Sequence, residues 1–525
     1  MRRDVRSLGV VYTPAEVVRP MVELALAPVV HGKSADQLAA LRICDPALGE
    51  GAFLVEVVRV LAAALAATGV APAMARARAS ACVTGIDIDS RAVAEARRAP
   101  GPEAQLVVAD ALALAPPERP YDVVLGNPPY IRQEHMTGVK SALRGYASYD
   151  GVADLYVYFI ELAHRIGRRY CLITPNKWLT AAYGRPLRAW LAERGSVEGV
   201  VDLGALPLFA NADAFPSIVW GTAGAAPLAG PVRAARVERG TSVAEALRDA
   251  PLPLPRAHWR ADPWHIDAPA DRALLDRLAA RWPALADVLP ARPARGIVTG
   301  CNRAFVIDRA TRDRLLADEP AAAPLVRRFI KGRDLRRWLP EPDERWILLV
   351  DRGTSLAQLP AVRAHLARFR DALEPGTGRK PGTYRWYELQ DPVGVHAASR
   401  APRLFYQDIQ TEPACCLDDS GELVPDTTVW ILPTGDRYLL AVLNSRLYRW
   451  YARRRFPPAL NGAVRPKLEY MRALPIATPA PRVRAEITKL VGQRLAGRSV
   501  DDAIDDAVFD AYALTARERT HVLGA

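Results

Sequence analysis

The sequence predicts an α/β chain: a doubly wound, mostly parallel sheet in the first 220 residues, followed by an α+β domain. Three observations carry this. Short apolar runs at 41–44, 81–87, 105–110, 121–126, 169–174, 197–203 and 216–221 are rich in β-branched residues and end in Gly, Pro or Asp, so they read as buried strands. Helical patterns lie between several of them, one with Leu54, Val57, Val58, Leu61 and Leu65 on a single face. From about residue 285 the chain becomes rich in Arg, Trp and Tyr, with strand-like runs at 346–350, 403–406 and 428–432. The predicted boundaries are therefore 1–240 for the α/β domain, 241–284 for a Pro/Ala/Gly-rich linker or peripheral segment, 285–480 for the second domain and 481–525 for a helical tail. The Asp pairs at 501–502 and 505–506 of that tail read as a solvated helix face.

Composition narrows the class. With 50% hydrophobic and 24% charged residues, the 525-residue chain can bury sizeable cores. Its 70 Lys and Arg against 58 Asp and Glu give a net charge of +12, which favours a polyanionic partner. The basic N-terminus lacks an apolar h-region, and the Ala-rich uncharged run 60–75 is too short to span a bilayer. A cytoplasmic chain with no membrane association is expected. The six cysteines form no CxxC pair and no His cluster has metal spacing, so neither a disulfide scaffold nor a metal site is expected.

The chemistry-bearing motifs lie at predicted strand ends. Asp45-Pro46-Ala47-Leu48-Gly49-Glu50-Gly51 joins the first strand to a helix, and its glycines let backbone approach a ligand closely. Gly85-Ile86-Asp87 ends the second strand with a carboxylate able to accept ribose hydroxyls. Asp110-Ala111 ends the third, with a carboxylate able to accept from an adenine amino group. Three carboxylates at successive strand ends beside a Gly-rich turn point to a nucleoside-shaped ligand.

The sharpest motif is Gly126-Asn127-Pro128-Pro129-Tyr130, directly after the fourth strand. Two prolines stiffen the loop. The Asn127 side-chain carbonyl and the Pro128 backbone carbonyl can both accept from one planar amino group, and Tyr130 offers a face for stacking. Two such acceptors stabilise positive charge developing on a conjugated amine, which can then attack an in-line sulfonium methyl without a strong general base. Tyr12-Thr13-Pro14-Ala15-Glu16 reads as a capped helix start: Thr13 as N-cap, Pro14 as first helical residue and Glu16 as reciprocal cap.

In this order the motifs resemble the gamma class of N6-adenine DNA methyltransferases, the TaqI methyltransferase-like group. Further matches are Asp154-Leu-Tyr-Val-Tyr-Phe-Ile-Glu161, Ile173-Thr-Pro-Asn-Lys-Trp-Leu179, Tyr183-Gly184 and Leu187-Arg188. Weaker ones follow at 296–302, 331–334, 386–389 and 444–445, similar to that family's C-terminal target-recognition domain.

The resemblance implies a seven-stranded sheet binding S-adenosylmethionine (SAM), with a flipped-out adenine of duplex DNA as methyl acceptor. It implies that Thr13, Asp45, Pro46, Ala47, Gly49 and Gly51 line the methionine end of SAM. Asp87 and Ile88 hold the ribose, and Asp110 and Ala111 the adenine. Asn127 and Pro128 activate the target amine. Tyr130 stacks on the base, with Phe209 on its other side and Phe215 as the fallback. Leu48 and Glu50 depart from the family's DPACGSG motif; the side chain of Glu50 is expected to face solvent.

Basic, aromatic-interleaved segments of the C-terminal half fit a duplex-holding surface, among them Arg333, Arg336, Arg453, Arg454, Arg455 and Lys467, with a flexible basic loop at 376–382. The expectation is a monomeric, stand-alone modifying enzyme of a bacterium or archaeon, paired with a separate restriction endonuclease. Methylation of a protein glutamine, N4-cytosine methylation and a non-catalytic DNA-binding subunit are the competing readings.

Overall fold

The computed structural model describes residues 13–97, 99–136, 140–204, 206, 215–224, 227–237, 241–250, 252–393, 399–412, 415–459 and 462–524. The chain forms two compact units, Met1–Pro269 and Ala270–Ala525.

The first unit is built on one sheet of nine strands: β1 (Ile43–Asp45), β2 (Val83–Asp87), β3 (Gln105–Val108), β4 (Val123–Gly126), β5 (Arg169–Pro175), β6 (Val197–Asp202), β7 (Pro216–Thr222), β8 (Val232–Arg236) and β9 (Leu252–Leu254). Their order is β3-β2-β1-β4-β5-β7-β6-β8-β9. The pairs from β3 through β5 are parallel, and β7 runs antiparallel to both β5 and β6. All seven predicted strands are present, but the sheet is wider than seven. β8 pairs parallel to β6, and β9 antiparallel to β8. β8 lies just ahead of the predicted linker and β9 within it, and a five-residue strand with exposed arginines such as β8 leaves little periodic signal.

Strand residues alternate between two covered faces, as a doubly wound sheet requires. Ile43, Val123, Leu125, Cys171 and Ile173 pack with helices Ala15–Val30 and Ala52–Ala67. Cys44, Val124, Tyr170 and Leu172 pack with helices Tyr156–Ile166 and Arg185–Arg194 on the other face. The division between units falls inside the expected linker. Trp259 and Trp264 are buried in the first unit, where the Arg188 guanidinium donates to the carbonyls of Ala261 and Asp262 and to those of Trp178 and Ala181. Arg188 is 2% exposed, so this match to the family motif ties down the edge of the unit.

The second unit holds two four-stranded sheets. One comprises β10 (Ala294–Arg295), β14 (Arg403–Gln407), β15 (Cys415–Asp418) and β17 (Val429–Leu432) in the order β10-β17-β14-β15. The other comprises β11 (Val306–Asp308), β12 (Val326–Ile330), β13 (Arg345–Leu348) and β16 (Leu423–Pro425) in the order β11-β13-β12-β16. The tail belongs to this unit's core: Ile487, Val491, Ile504, Val508 and Phe509 are buried. The expected solvated acid face holds for Asp502 and Asp506, which are exposed, and is corrected for the other two acids. Asp505 is 5% exposed and accepts from the Arg446 backbone N–H, and Asp501 accepts from Trp338 Nε1. No helix among the described residues is long and apolar enough to cross a membrane.

Candidate active site

Parallel pairing of β3, β2, β1 and β4 places their carboxyl ends along one edge of the first sheet. β1 and β4 are neighbours there, at the point where the strand order reverses. The motifs at Asp45–Gly51, Asp87, Asp110–Ala111 and Asn127–Tyr130 sit on this edge because each follows one of these strands.

The turn after β1 is shaped by two glycines in the left-handed region, Gly49 at φ 52° and Gly51 at φ 81°. Gly51 is the N-cap of helix Ala52–Ala67. The Gly49 N–H donates to Asp87 Oδ2 at 2.9 Å, and Asp87 Oδ1 accepts from the Asp89 N–H at 2.9 Å. The second carboxylate thus fixes the first turn. Leu48 is buried against Gly85, where a side chain on Gly85 would collide with it. Glu50 is exposed, as expected. Asp110 Oδ1 accepts from the Leu112 N–H at 3.0 Å, Ala111 is buried, and Ile88 is 68% exposed.

Asp45 is the unusual group. It is 1% exposed; Oδ1 accepts from the Ala47 N–H at 3.0 Å, and Oδ2 is buried with no hydrogen-bond partner among the described residues. Burial pushes the carboxyl up to about 7; the Ala47 N–H opposes this and the charge of Asp87 adds to it. Gly126, at the end of β4, packs directly on this carboxyl, and a Cβ there would strike Asp45 Oδ1.

One step further along, the Asn127 side chain is fixed from a distant part of the sequence. Its Nδ2 donates to Thr13 Oγ1 at 2.9 Å. The predicted helix cap is therefore corrected. Helix Ala15–Val30 has Pro14 as its N-cap with no side-chain cap bond, and the Thr13 hydroxyl, 6% exposed, serves Asn127 instead. Because the amide nitrogen faces Thr13, the carboxamide oxygen is the opposite end of the group. Pro128 is buried and Pro129 half-buried. The Tyr130 ring is partly exposed and meets Tyr156 edge-on, with centroids 6.3 Å apart, and Tyr156 shares a 2.8 Å hydroxyl contact with Tyr183. Burial raises the Tyr130 phenol above its ordinary range, so it stays protonated. Sequence reasoning missed Tyr156 and Tyr183 as supports of this loop, although both lie in the quoted family motifs. Phe209 lies outside the described residues. Phe215, the fallback, is partly exposed, and its carbonyl accepts from the Asn176 N–H at 2.7 Å.

The expected DNA-contacting residues all lie in the second unit and differ in their surroundings. Arg454 is turned inward: Nε lies 2.7 Å from Asp271 Oδ1 and the guanidinium stacks on Trp450. Arg453 lies 4.0 Å from Glu412, Arg336 lies 3.1 Å from Glu341, and Arg455 Nη1 donates to the Arg454 carbonyl. Arg333 is exposed beside Asp334 and Asp343, and Lys467 is exposed on a basic cleft. The loop at 376–382 is held by Arg379, which is 6% exposed and donates to four backbone carbonyls, those of Thr299, Leu373, Trp386 and Glu388.

The comparisons with known proteins agree with this layout. The model of the Eco57I restriction-modification methylase family matches residues 113–209, across the Asn127 loop, and that of the TaqI-like C-terminal specificity domain matches residues 329–476. The Type II methyltransferase M.PaeR7I of Pseudomonas aeruginosa is 28% identical over 98% of this chain and 93% of its own length. M.XhoI of Xanthomonas vasicola, also a Type II methyltransferase, is 24% identical over 97% and 98%. The solved structure of the Type IIL restriction-modification enzyme MmeI in complex with DNA shares the fold, with a TM-score of 0.65 at 14% identity over 96% of this chain and 76% of that one. The chain is a methyltransferase of the restriction-modification type, an Eco57I-like methylase region followed by a TaqI-like specificity domain.

Proposed function

We propose that the protein transfers the methyl group of SAM to the N6 amine of a flipped-out adenine at a specific site in duplex DNA, as the modification component of a restriction-modification system. The observation that carries this reading is the Asn127 carboxamide at the end of β4, oriented by Thr13.

The strand-end edge suits SAM. The buried Asp45 Oδ2 lacks a hydrogen-bond partner among the described residues, the turn at Gly49 and Gly51 brings backbone close, and Ile88 leaves an aliphatic surface exposed beside Asp87. Thr13, Asp45, Pro46, Ala47, Gly49 and Gly51 would hold the methionine end, Asp87 and Ile88 the ribose, and Asp110 and Ala111 the adenine. When bound, SAM supplies an electrophilic methyl on a sulfonium. Asn127 Oδ1 and the Pro128 carbonyl accept from the target amine. They favour a pyramidal nitrogen and hold its developing positive charge, and such preorganised dipoles need not reorient during the reaction. Tyr130 presents a neutral ring face for the base, backed by Tyr156.

Expression in a methylation-free bacterial host, with modified bases mapped by single-molecule sequencing, tests the reading. N6-methyladenine at one recurrent sequence is expected. N4-methylcytosine, or unmodified DNA from a folded, SAM-binding protein, would overturn it. Asn127→Ala is expected to lower methyl transfer by about 10²-fold or more, with SAM binding retained.

A further inference from the structure

We propose that Arg465, held in plane by Asp408, reads a guanine edge in the DNA site, while Lys467 and Arg472 beside it grip the flanking phosphates; this rests on the DNA-modifying reading above.

The second unit contains a cleft of about 530 Å³ lined by Arg292, Arg295, Arg465, Lys467 and Arg472, with Asp408 and Glu469 as its acids and Trp430 as its aromatic wall. Five cations against two acids suit a polyanion, but the cations are not alike. Arg292, Lys467 and Arg472 are exposed and make no ion pair among the described residues. Exposed cations of this kind neutralise phosphates without reading sequence.

Arg465 is built differently. Its backbone is fixed by the N–H bond to the Pro457 carbonyl at 2.8 Å, and its neighbour Val464 pairs with Gln410. Its Nη2 donates to Asp408 Oδ2 at 2.9 Å. Asp408 is 8% exposed and accepts from Trp430 Nε1 at 3.0 Å, and Trp430 stacks parallel to Tyr406 at an interplanar angle of 9°. Burial pushes Asp408 up, but the hydrogen bonds from Arg465 and Trp430 outweigh it and hold the group below the ordinary carboxylate range. Arg465 Nε is buried with no acceptor among the described residues.

A phosphate needs no such buttress, because it offers acceptors in every direction. A guanine edge offers two acceptors in one plane and rewards a guanidinium already held in a fixed plane. Arg295 is less suited to reading, since its Nε is committed to the Thr427 carbonyl at 2.7 Å and its guanidinium lies over the Trp430 ring.

The test is methylation of a duplex library randomised around the modified site, using the full-length protein and SAM. Arg465→Ala is expected to lose about 5- to 150-fold discrimination at one G·C position and to keep the rest of the recognition sequence. Arg465→Gln, which retains length and a donor to Asp408, should relax the same position. Asp408→Asn should relax it more weakly, with thermal melting and SAM binding recorded for each variant. Lys467→Ala and Arg472→Ala should lower DNA affinity equally for all sequences and each reduce the salt slope by about one. A uniform loss with an unchanged recognition sequence for both Arg465 variants would make Arg465 a phosphate contact and overturn the inference. Failure of the wild-type protein to modify any DNA would instead remove the function on which it rests.

Discussion

Asp45 and Asp408 are both buried carboxylates, one at the strand-end edge of the first unit and the other in the cleft of the second, and they are satisfied in opposite ways. Asp45 receives one backbone N–H and leaves its second oxygen without a partner among the described residues; Asp408 receives Trp430 and Arg465. Burial dominates at Asp45 and raises it to about 7, whereas hydrogen bonding dominates at Asp408 and lowers it. The difference separates two tasks. A buried acid short of donors leaves room for a cationic group of a ligand; one with its donors in place orients its neighbour. In the first unit, the acidic side chains sit at strand ends and are held by nearby backbone N–H groups. In the second, long cations supply charge, and only the buttressed ones hold a direction.

The largest expected effect is on pH dependence. A carboxyl raised in the folded state contributes stability that is fully present below its unfolded value, near 3.9, and is lost as pH rises through about 7. Asp408, depressed in the folded state, contributes in the opposite sense: its share is present above the unfolded value and is lost as pH falls through its lowered folded one. Urea unfolding of the wild type, Asp45→Asn and Asp408→Asn at successive pH values measures this. Asp45→Asn should flatten the decline between about pH 4 and 7. Parallel curves for wild type and Asp45→Asn would erase the contrast between the two acids.

A second expectation sharpens the division among the arginines. Arg454 stood in the sequence as one of three consecutive cations, yet its side chain is 16% exposed and pairs with Asp271, which also meets His521 Nε2 at 2.6 Å and Trp450 Nε1 at 3.2 Å. Arg454→Ala should destabilise the protein by about 1–3 kcal/mol and leave the salt slope of DNA binding unchanged. Arg453, 46% exposed, should do the reverse. A lowered salt slope without a lowered melting temperature for Arg454→Ala would return it to the surface patch.

Which parts could be read from the sequence follows from the same physics. Six of the seven strands are apolar runs, largely buried and ended by breakers, and β3, exposed at the sheet edge, is legible from its β-branched Val107 and Val108. β8 and β9 were not, because a strand near a sheet edge needs little apolar sequence and borrows its partner from far away. The motifs after β1, β2, β3 and β4 were legible because each packs its function into a few contiguous residues. The cleft was not, since its residues run from Arg292 to Arg472 and only folding gathers them. Buried arginines misled most. Arg379 and Arg454 look like surface charge in sequence, yet each turns into the packing, and whether a guanidinium faces water or a carbonyl depends on elements far from it.

Thr13 gives the smallest effect and the most direct comparison of a structural with a functional role. As an N-cap it would support helix Ala15–Val30, and its loss would cost about 1 kcal/mol of stability. As the acceptor for Asn127 Nδ2 it would act as a positioning residue, and its loss would remove that restraint on the carboxamide. Thr13→Val keeps the shape and removes the acceptor. Turnover is expected to fall about tenfold, with the melting temperature little changed, and Thr13→Ser should restore most of it. The split follows from the geometry: the helix already begins at Pro14 without a side-chain cap, so the hydroxyl supports the amide and not the helix end. A Thr13→Val protein that melts lower but turns over normally would reverse that assignment and return Thr13 to the helix.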